Sequence, residues 1–128
     1  MTRPRYFDPR EVAEALPIDD CVEAMRAALI ATSRNRVQQP PRMIMPMPDG
    51  AGLALMPGFL QDRPLVGTKV VARFSPSEPQ GRHRKAGVFL LFDRDTAQLR
   101  AIIDAHSLTN RRTAATTVAA VRRLVRLC

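Results

Sequence analysis

The chain has 128 residues, of which 45% are hydrophobic and 25% charged, with a formal net charge of +8. That length buries one modest core and excludes two full domains, while the ordinary apolar fraction excludes disorder along the whole chain. Cys21 and Cys128 form neither a CxxC pair nor a disulfide framework, which fits a reducing compartment.

The opening MTRPRYFDPREV carries no apolar run behind its arginines, so no secretory signal is expected. Nor is there a stretch of about 18 apolar residues to span a membrane, and a cytoplasmic location is expected. Asp8, Pro9 and Glu11 form a helix start, with Asp8 as cap, Pro9 at the first helical position and Glu11 completing a capping box. Pro17 biases Leu16 away from helical geometry, so this helix is short. A second helix begins at Pro17, with Ile18, Cys21, Val22, Met25, Ala28 and Leu29 on a face expected to pack inward.

Residues 34–41 read as a polar loop ending in Gln38, Gln39, Pro40 and Pro41, after which the period becomes extended. Strands are expected at residues 42–47, 53–56, 65–74, 88–92 and 99–103. Pro48-Asp49-Gly50, Asp62-Arg63-Pro64, Ser75-Pro76-Ser77 and Asp93-Arg94-Asp95-Thr96 supply the turns. Such short links predict a mixed, largely antiparallel sheet, flanked by two N-terminal helices and a long C-terminal one: an α/β chain of the α+β type. The last helix is expected from about Leu108 to Leu127, with Ala114, Ala115, Val118, Val121, Leu124 and Val125 on one stripe. It meets no Gly or Asn cap, so its end reads as an imposed boundary.

Three cations stand out. Arg42 heads a strand directly after Pro40-Pro41, where its guanidinium can form a fork around a carboxylate, the alternative being a solvated arginine. Lys69 interrupts the apolar strand Val66-Gly67-Thr68-Lys69-Val70-Val71-Ala72. Burying an unpaired ammonium is costly, so Lys69 faces either solvent or a site that holds an anion. Arg112 falls in the first turns of the expected last helix, where the dipole disfavours a cation unless an anion binds beside it. The five arginines and absence of acids between Ala105 and Cys128 make that end a candidate polyanion contact or an unfinished surface.

Pro41-Arg42, Leu55-Met56-Pro57, Gly67-Thr68-Lys69-Val70-Val71, Gly87-Val88-Phe89-Leu90-Leu91-Phe92-Asp93 and Leu108-Thr109 with Arg112-Thr113-Ala114-Ala115 occur in that order. Together they resemble the ornithine cyclodeaminase and mu-crystallin family, from about residue 17 to the chain's last residues. The resemblance implies an N-terminal region that holds substrate and makes a homodimer, followed by a Rossmann domain that binds NAD. It implies that Arg42 and Lys69 grip an amino-acid carboxylate, with Lys69 the catalytic cation. Met56 would line the pocket, and Arg112 would bridge substrate and cofactor phosphate. The reaction implied is conversion of L-ornithine to L-proline and ammonia; relatives reduce ketimines or oxidise alanine. No metal site is implied.

Two departures follow. Relatives carry small polar residues and His or Gln before the glycine of the LFD strand, where this chain has Arg82-His83-Arg84-Lys85-Ala86-Gly87. The six glycines make no GxGxxG opening a helix, so the chain reads as a single, truncated substrate-binding unit at 1–128, without the NAD-binding domain and inactive alone. Two other classes remain open: a non-catalytic carboxylate or small-ligand module, and a nucleic-acid binder using the last helix and residues 82–85. Five Phe and one Tyr argue against a base-stacking platform for the latter.

Overall fold

The computed structural model describes residues 3–74 and 84–126. In chain order these form β1 (Arg5–Phe7), α1 (Pro9–Ala15), α2 (Ile18–Ser33), β2 (Val37–Gln38), β3 (Met43–Pro46), β4 (Gly52–Leu60), β5 (Leu65–Phe74), β6 (Arg84–Asp93), β7 (Leu99–Asp104) and α3 (Ala105–Val125). The seven strands make one sheet in the order β1-β7-β6-β5-β4-β2, with β3 sharing the outer edge of β4. Every pairing is antiparallel except β1 on β7. The mixed, largely antiparallel sheet with two N-terminal helices and one long final helix is therefore the architecture expected.

Local chemistry accounts for most boundaries. Asp8 accepts from the Glu11 N–H at 2.8 Å while the Glu11 carboxylate accepts from the Asp8 N–H at 3.1 Å, a complete capping box with Pro9 at the first position. The β3–β4 link turns at Asp49 (φ 61°) and Gly50 (φ 72°), a left-handed pair that a Pro-Asp-Gly sequence tolerates. Asp93 accepts from the Asp95 and Thr96 N–H groups, closing the β6–β7 turn, and those bonds hold its carboxyl below the usual range. The turn expected at Ser75-Pro76-Ser77 lies outside the described residues, as do Arg82 and His83 of the basic loop.

Two elements were not legible. β1 has three residues and draws its pairing from β7, and β2 has two and draws its pairing from β4. Strands this short carry no period of their own. The last helix also begins earlier than expected, at Ala105, because Asp104 caps it by accepting from the Ser107 N–H at 2.8 Å. Arg112 consequently sits two turns inside the helix, and the helix-dipole argument for an anion beside it does not apply.

The helices stack on one face of the sheet. α3 lies over β5, β6 and β7, α1 sits beside β1 and β7, and α2 packs on α3 rather than on the sheet. Because α2 has one helix to bury against, its inward stripe is narrow: Cys21 and Val22 are buried against Ala115, whereas Ile18 and Leu29, expected inside, are 43% and 47% exposed. Likewise Ala115 is fully buried in α3 while Val121, Leu124 and Val125 stand exposed. Cys21 is a free thiol whose pKa is raised by burial, with Arg111 opposing that shift.

Two glycines let the helical layer and the strands come close. A side chain at Gly67 would meet the Phe89 ring at 2.6 Å, and one at Gly87 would lie 2.9 Å from the Val70 carbonyl and 3.3 Å from the Ala105 methyl. Gly67 thus makes room for the Phe89 ring, and Gly87 for the start of α3. Gly67→Ala is expected to destabilise the fold by about 1–3 kcal/mol through overpacking, read as a lowered urea midpoint. An unchanged midpoint would mean that Phe89 does not occupy that space.

Candidate functional site

Alternation and register decide which side chains share the helix-bearing face. The ladders place Met56 opposite Lys69, Lys69 opposite Phe89, and Phe89 opposite Ile103. Carrying the β3–β4 register one residue back from Met43↔Leu55 sets Arg42 level with Met56. Arg42, Met56, Lys69, Phe89 and Ile103 therefore form one row across the sheet. Lys69 lies on the side of α3, since its ammonium donates to the Thr109 hydroxyl at 2.7 Å.

Arg112 follows Thr109 by three residues on α3, and its charge reaches Lys69. The structure thus gathers the four residues that the sequence singled out, Arg42, Met56, Lys69 and Arg112, from three strands and one helix. Thr109, which in the sequence stands out only as part of the Leu108-Thr109 motif, joins them. Its role depends on a contact forty residues apart, for which the sequence carries no local signal.

The site has a recognisable shape. α3 covers β5 to β7, and beyond its edge the same face of β4 presents Gly52, Ala54, Met56 and Gly58, small residues apart from Met56. By register, these small side chains leave a low strip of β4, here called the trough, between Lys69 on β5 and Arg42 just ahead of β3. Lys69 has its pKa lowered first by burial, then by the charges of Arg112 and Lys85. Three-donor ammonium chemistry leaves Lys69 with capacity beyond the Thr109 bond. No ion pair involves Arg42, Lys69, Arg73, Lys85 or Arg112 among the described residues. An anion beside Lys69 would relieve that mutual repulsion.

The two adjacent arginines of α3 do different work. Arg111 donates to the Leu16 carbonyl at 3.0 Å, tying α3 to the junction of α1 and α2, whereas Arg112 is exposed. Arg122 is also engaged within the chain, on Asp19 at 3.0 Å, so the arginines of α3 do not form one continuous free stripe for a polyanion. A separate cavity of about 420 Å³ between α1, β7 and α3 is lined by Phe7, Val12, Leu16, Leu91, Ile103 and Leu108, with Arg5 and Arg100 also on its wall. It is roomy and mostly apolar, and neither Lys69 nor Thr109 lines it.

The chain matches the Ornithine cyclodeaminase/mu-crystallin family over residues 7–127. It belongs to that family. It is 24% identical to Delta(1)-pyrroline-2-carboxylate reductase 2 of Burkholderia ambifaria over 124 residues, which are 97% of this chain and 39% of that protein. The crystal structure of a probable ornithine cyclodeaminase from Bordetella pertussis superposes with a TM-score of 0.75 at 24% identity, covering 92% of this chain and 35% of the other. An archaeal alanine dehydrogenase dimer with bound NAD gives 0.74 at 22% identity, covering 88% and 34%. These structures share the fold of this chain. The chain spans less than two fifths of the length of each of these relatives. Among the described residues no helix is long and apolar enough to cross a membrane.

NAD accompanies the alanine dehydrogenase relative, so the fit of this chain to a dinucleotide matters. A dinucleotide cradle needs glycines where a strand passes into a helix. The strand-to-α-helix junctions here are Phe7-Asp8-Pro9 and Asp104-Ala105, and neither holds a glycine. The described residues do not fit the pyrophosphate of NAD.

Arg111→Ala is expected to cost about 1–3 kcal/mol, since it removes a charge-assisted bond and leaves a part-buried carbonyl unpaired. Arg112→Ala is expected to leave the urea midpoint within about 0.5 kcal/mol of the parent. Equal losses for the pair would contradict the division of roles.

Proposed function

We propose that this chain is the substrate-binding half of a family enzyme that acts on a small α-amino or α-imino acid, its share of the work being to grip the α-carboxylate. The observation that carries the reading is the row Arg42, Met56, Lys69 with the charge of Arg112 acting on Lys69, three cations without an ion-pair partner among the described residues. Lys69, oriented by Thr109, supplies a point charge; Arg42 and Arg112 supply planar forks that take a carboxylate through paired N–H bonds. Met56 forms the apolar floor against the substrate's carbon skeleton.

In this reading Arg112 stands at the cofactor side of the site, and the nicotinamide cofactor is held by residues other than those of this chain. The chain alone then binds and orients but does not turn over. Ornithine, alanine and cyclic imines share the carboxylate that these residues hold, so the grip serves each of the reactions known among the relatives, cyclisation of ornithine to proline included. A carboxylate bound only by the native state raises the thermal midpoint. L-alanine or pyruvate at millimolar concentration is expected to raise it, alaninamide is not, and Arg42→Ala or Lys69→Ala is expected to remove the response. The response should fade as pH rises through the lowered pKa of Lys69, earlier than for an ordinary lysine, because only the ammonium form attracts the carboxylate. An equal rise with alaninamide would defeat the reading.

The opposite face of the sheet supports a homodimer. Register places Leu53, Leu55, Phe59, Val70, Leu90 and Ile102 there, away from the helices, and continues them with Tyr6, Met43, Met45 and Phe74, each at least 50% exposed. Exposed apolar side chains gathered on one face mark an interaction surface more than they do free surface, and the related alanine dehydrogenase is a dimer. A second copy of the chain is the occupant proposed. Sedimentation equilibrium is expected to give a dimer, and Leu90→Arg a monomer or an aggregating chain; a parent that stays monomeric at high micromolar concentration would contradict it.

A further inference from the structure

We infer that the cavity between α1, β7 and α3 is a binding site for a medium-chain carboxylate, its hydrocarbon held by the apolar wall and its head group by Arg100 with Arg5. The site stands apart from the Lys69 row, since neither Lys69 nor Thr109 lines it. At about 420 Å³ the cavity falls within the range that small ligands fill, roughly 300–1,000 Å³. Phe7, Val12, Leu16, Leu91, Ile103 and Leu108 make its apolar wall. Such a wall offers water no hydrogen-bond partners, so hydrocarbon occupies the space more favourably than water does.

A break in the sheet register supplies the head-group end. Leu91 pairs with Ala101 and Phe92 with Leu99, which leaves Arg100 as the extra residue of a β-bulge. A bulge re-aims a side chain. Here Arg100 and Ala101 both line the cavity, whereas strict alternation would send one of the two to the other face. Arg5 is the register partner of Ala101 on β1, so the two arginines are neighbours across the strands. Arg5 stacks on Phe7 at 4.5 Å and pairs with Glu11 at 3.4 Å. Glu11 offsets part of that charge, so Arg100 is the leading partner.

Arg100 is exposed and has no ion pair among the described residues. The Asp93 carboxylate feels its charge but is bonded to the Asp95 and Thr96 N–H groups of its own turn. A free guanidinium fork beside an apolar wall, with a partly neutralised one next to it, complements an anion on a hydrocarbon tail and repels a cation.

The test is calorimetric titration of the full chain with hexanoate, octanoate and octylammonium, each below its micelle threshold. One octanoate per chain is expected, held about fifteenfold more tightly than hexanoate, the gain that two more buried methylenes supply. Octylammonium is expected to bind at least about tenfold more weakly than octanoate. Arg100→Ala should bring these two within about threefold of each other while the dependence on chain length persists. Ala15 stands exposed at the end of α1 and lines the cavity, so Ala15→Trp should fill it and abolish octanoate binding, with the fold checked by circular dichroism. Ala15→Leu, a smaller filler, should weaken binding. No saturable binding, binding that survives in both Ala15 variants, or an octanoate preference that survives in Arg100→Ala overturns the proposal. Octanoate binding lost in Lys69→Ala but kept in Arg100→Ala places the ligand on the Lys69 row and overturns it as well.

Discussion

A lysine in the middle of a central strand has to put its ammonium somewhere, and the rest of this structure follows from where Lys69 puts it. Strands on either side present apolar neighbours, and burial together with two nearby cations makes the charged form of Lys69 unfavourable. In a chain selected for stability alone an apolar residue would stand there. The Thr109 hydroxyl satisfies one donor, at 2.7 Å, and fixes α3 close beside the lysine. Because α3 covers β5 to β7, the small residues of β4 beyond its edge are left as a trough. An unfavourable charge held at the wall of an open trough describes a binding site better than a packing device.

The same alternation divides the sheet into two working faces. One carries the helices, the row from Arg42 to Ile103, and all the charges considered for catalysis or binding. The other carries leucine, valine, phenylalanine and methionine, and no charge was singled out on it. A shift of one residue in the β4–β5 register would send Lys69 and Met56 to different faces and destroy both roles. Gly67 and Gly87 disfavour slips of the same kind between β5 and β6, since the Phe89 ring and the first residue of α3 occupy the space that other side chains would need. The family motifs around these glycines thus have a steric meaning in addition to whatever they contribute to chemistry.

How much was legible in the sequence depended on where the information lies. The capping box at Asp8, the proline break at Leu16 and the turn chemistry at Asp49-Gly50 are local, and the structure has them. The ends of β4 and β6, the short strands β1 and β2, and the extra turn of α3 are set by pairing partners or by the Asp104 cap, so pattern reading missed them. The inward face of α2 was over-read at Ile18 and Leu29 because a helix packed on another helix buries less than one packed on a sheet. For the site, the identities of Arg42, Met56, Lys69 and Arg112 came from the resemblance, whereas their alignment, and the contact of Thr109 with Lys69, exist only in the register and the α3 contact. The dipole argument for Arg112 rested on a misplaced helix start; its position beside Lys69 replaces it.

The chain has two lysines, Lys69 and Lys85, so selective lysine labelling with carbon-13 at the ε position gives a two-signal spectrum. Following both signals through a pH titration, with and without pyruvate, reads the central claim directly. The account predicts one signal, assigned to Lys69 by its loss in Lys69→Arg, that titrates below the ordinary lysine range and moves back up when pyruvate binds, because the carboxylate stabilises the ammonium. A Lys69 signal that titrates like a free lysine and ignores pyruvate would contradict the half-buried cationic site on which the whole reading stands.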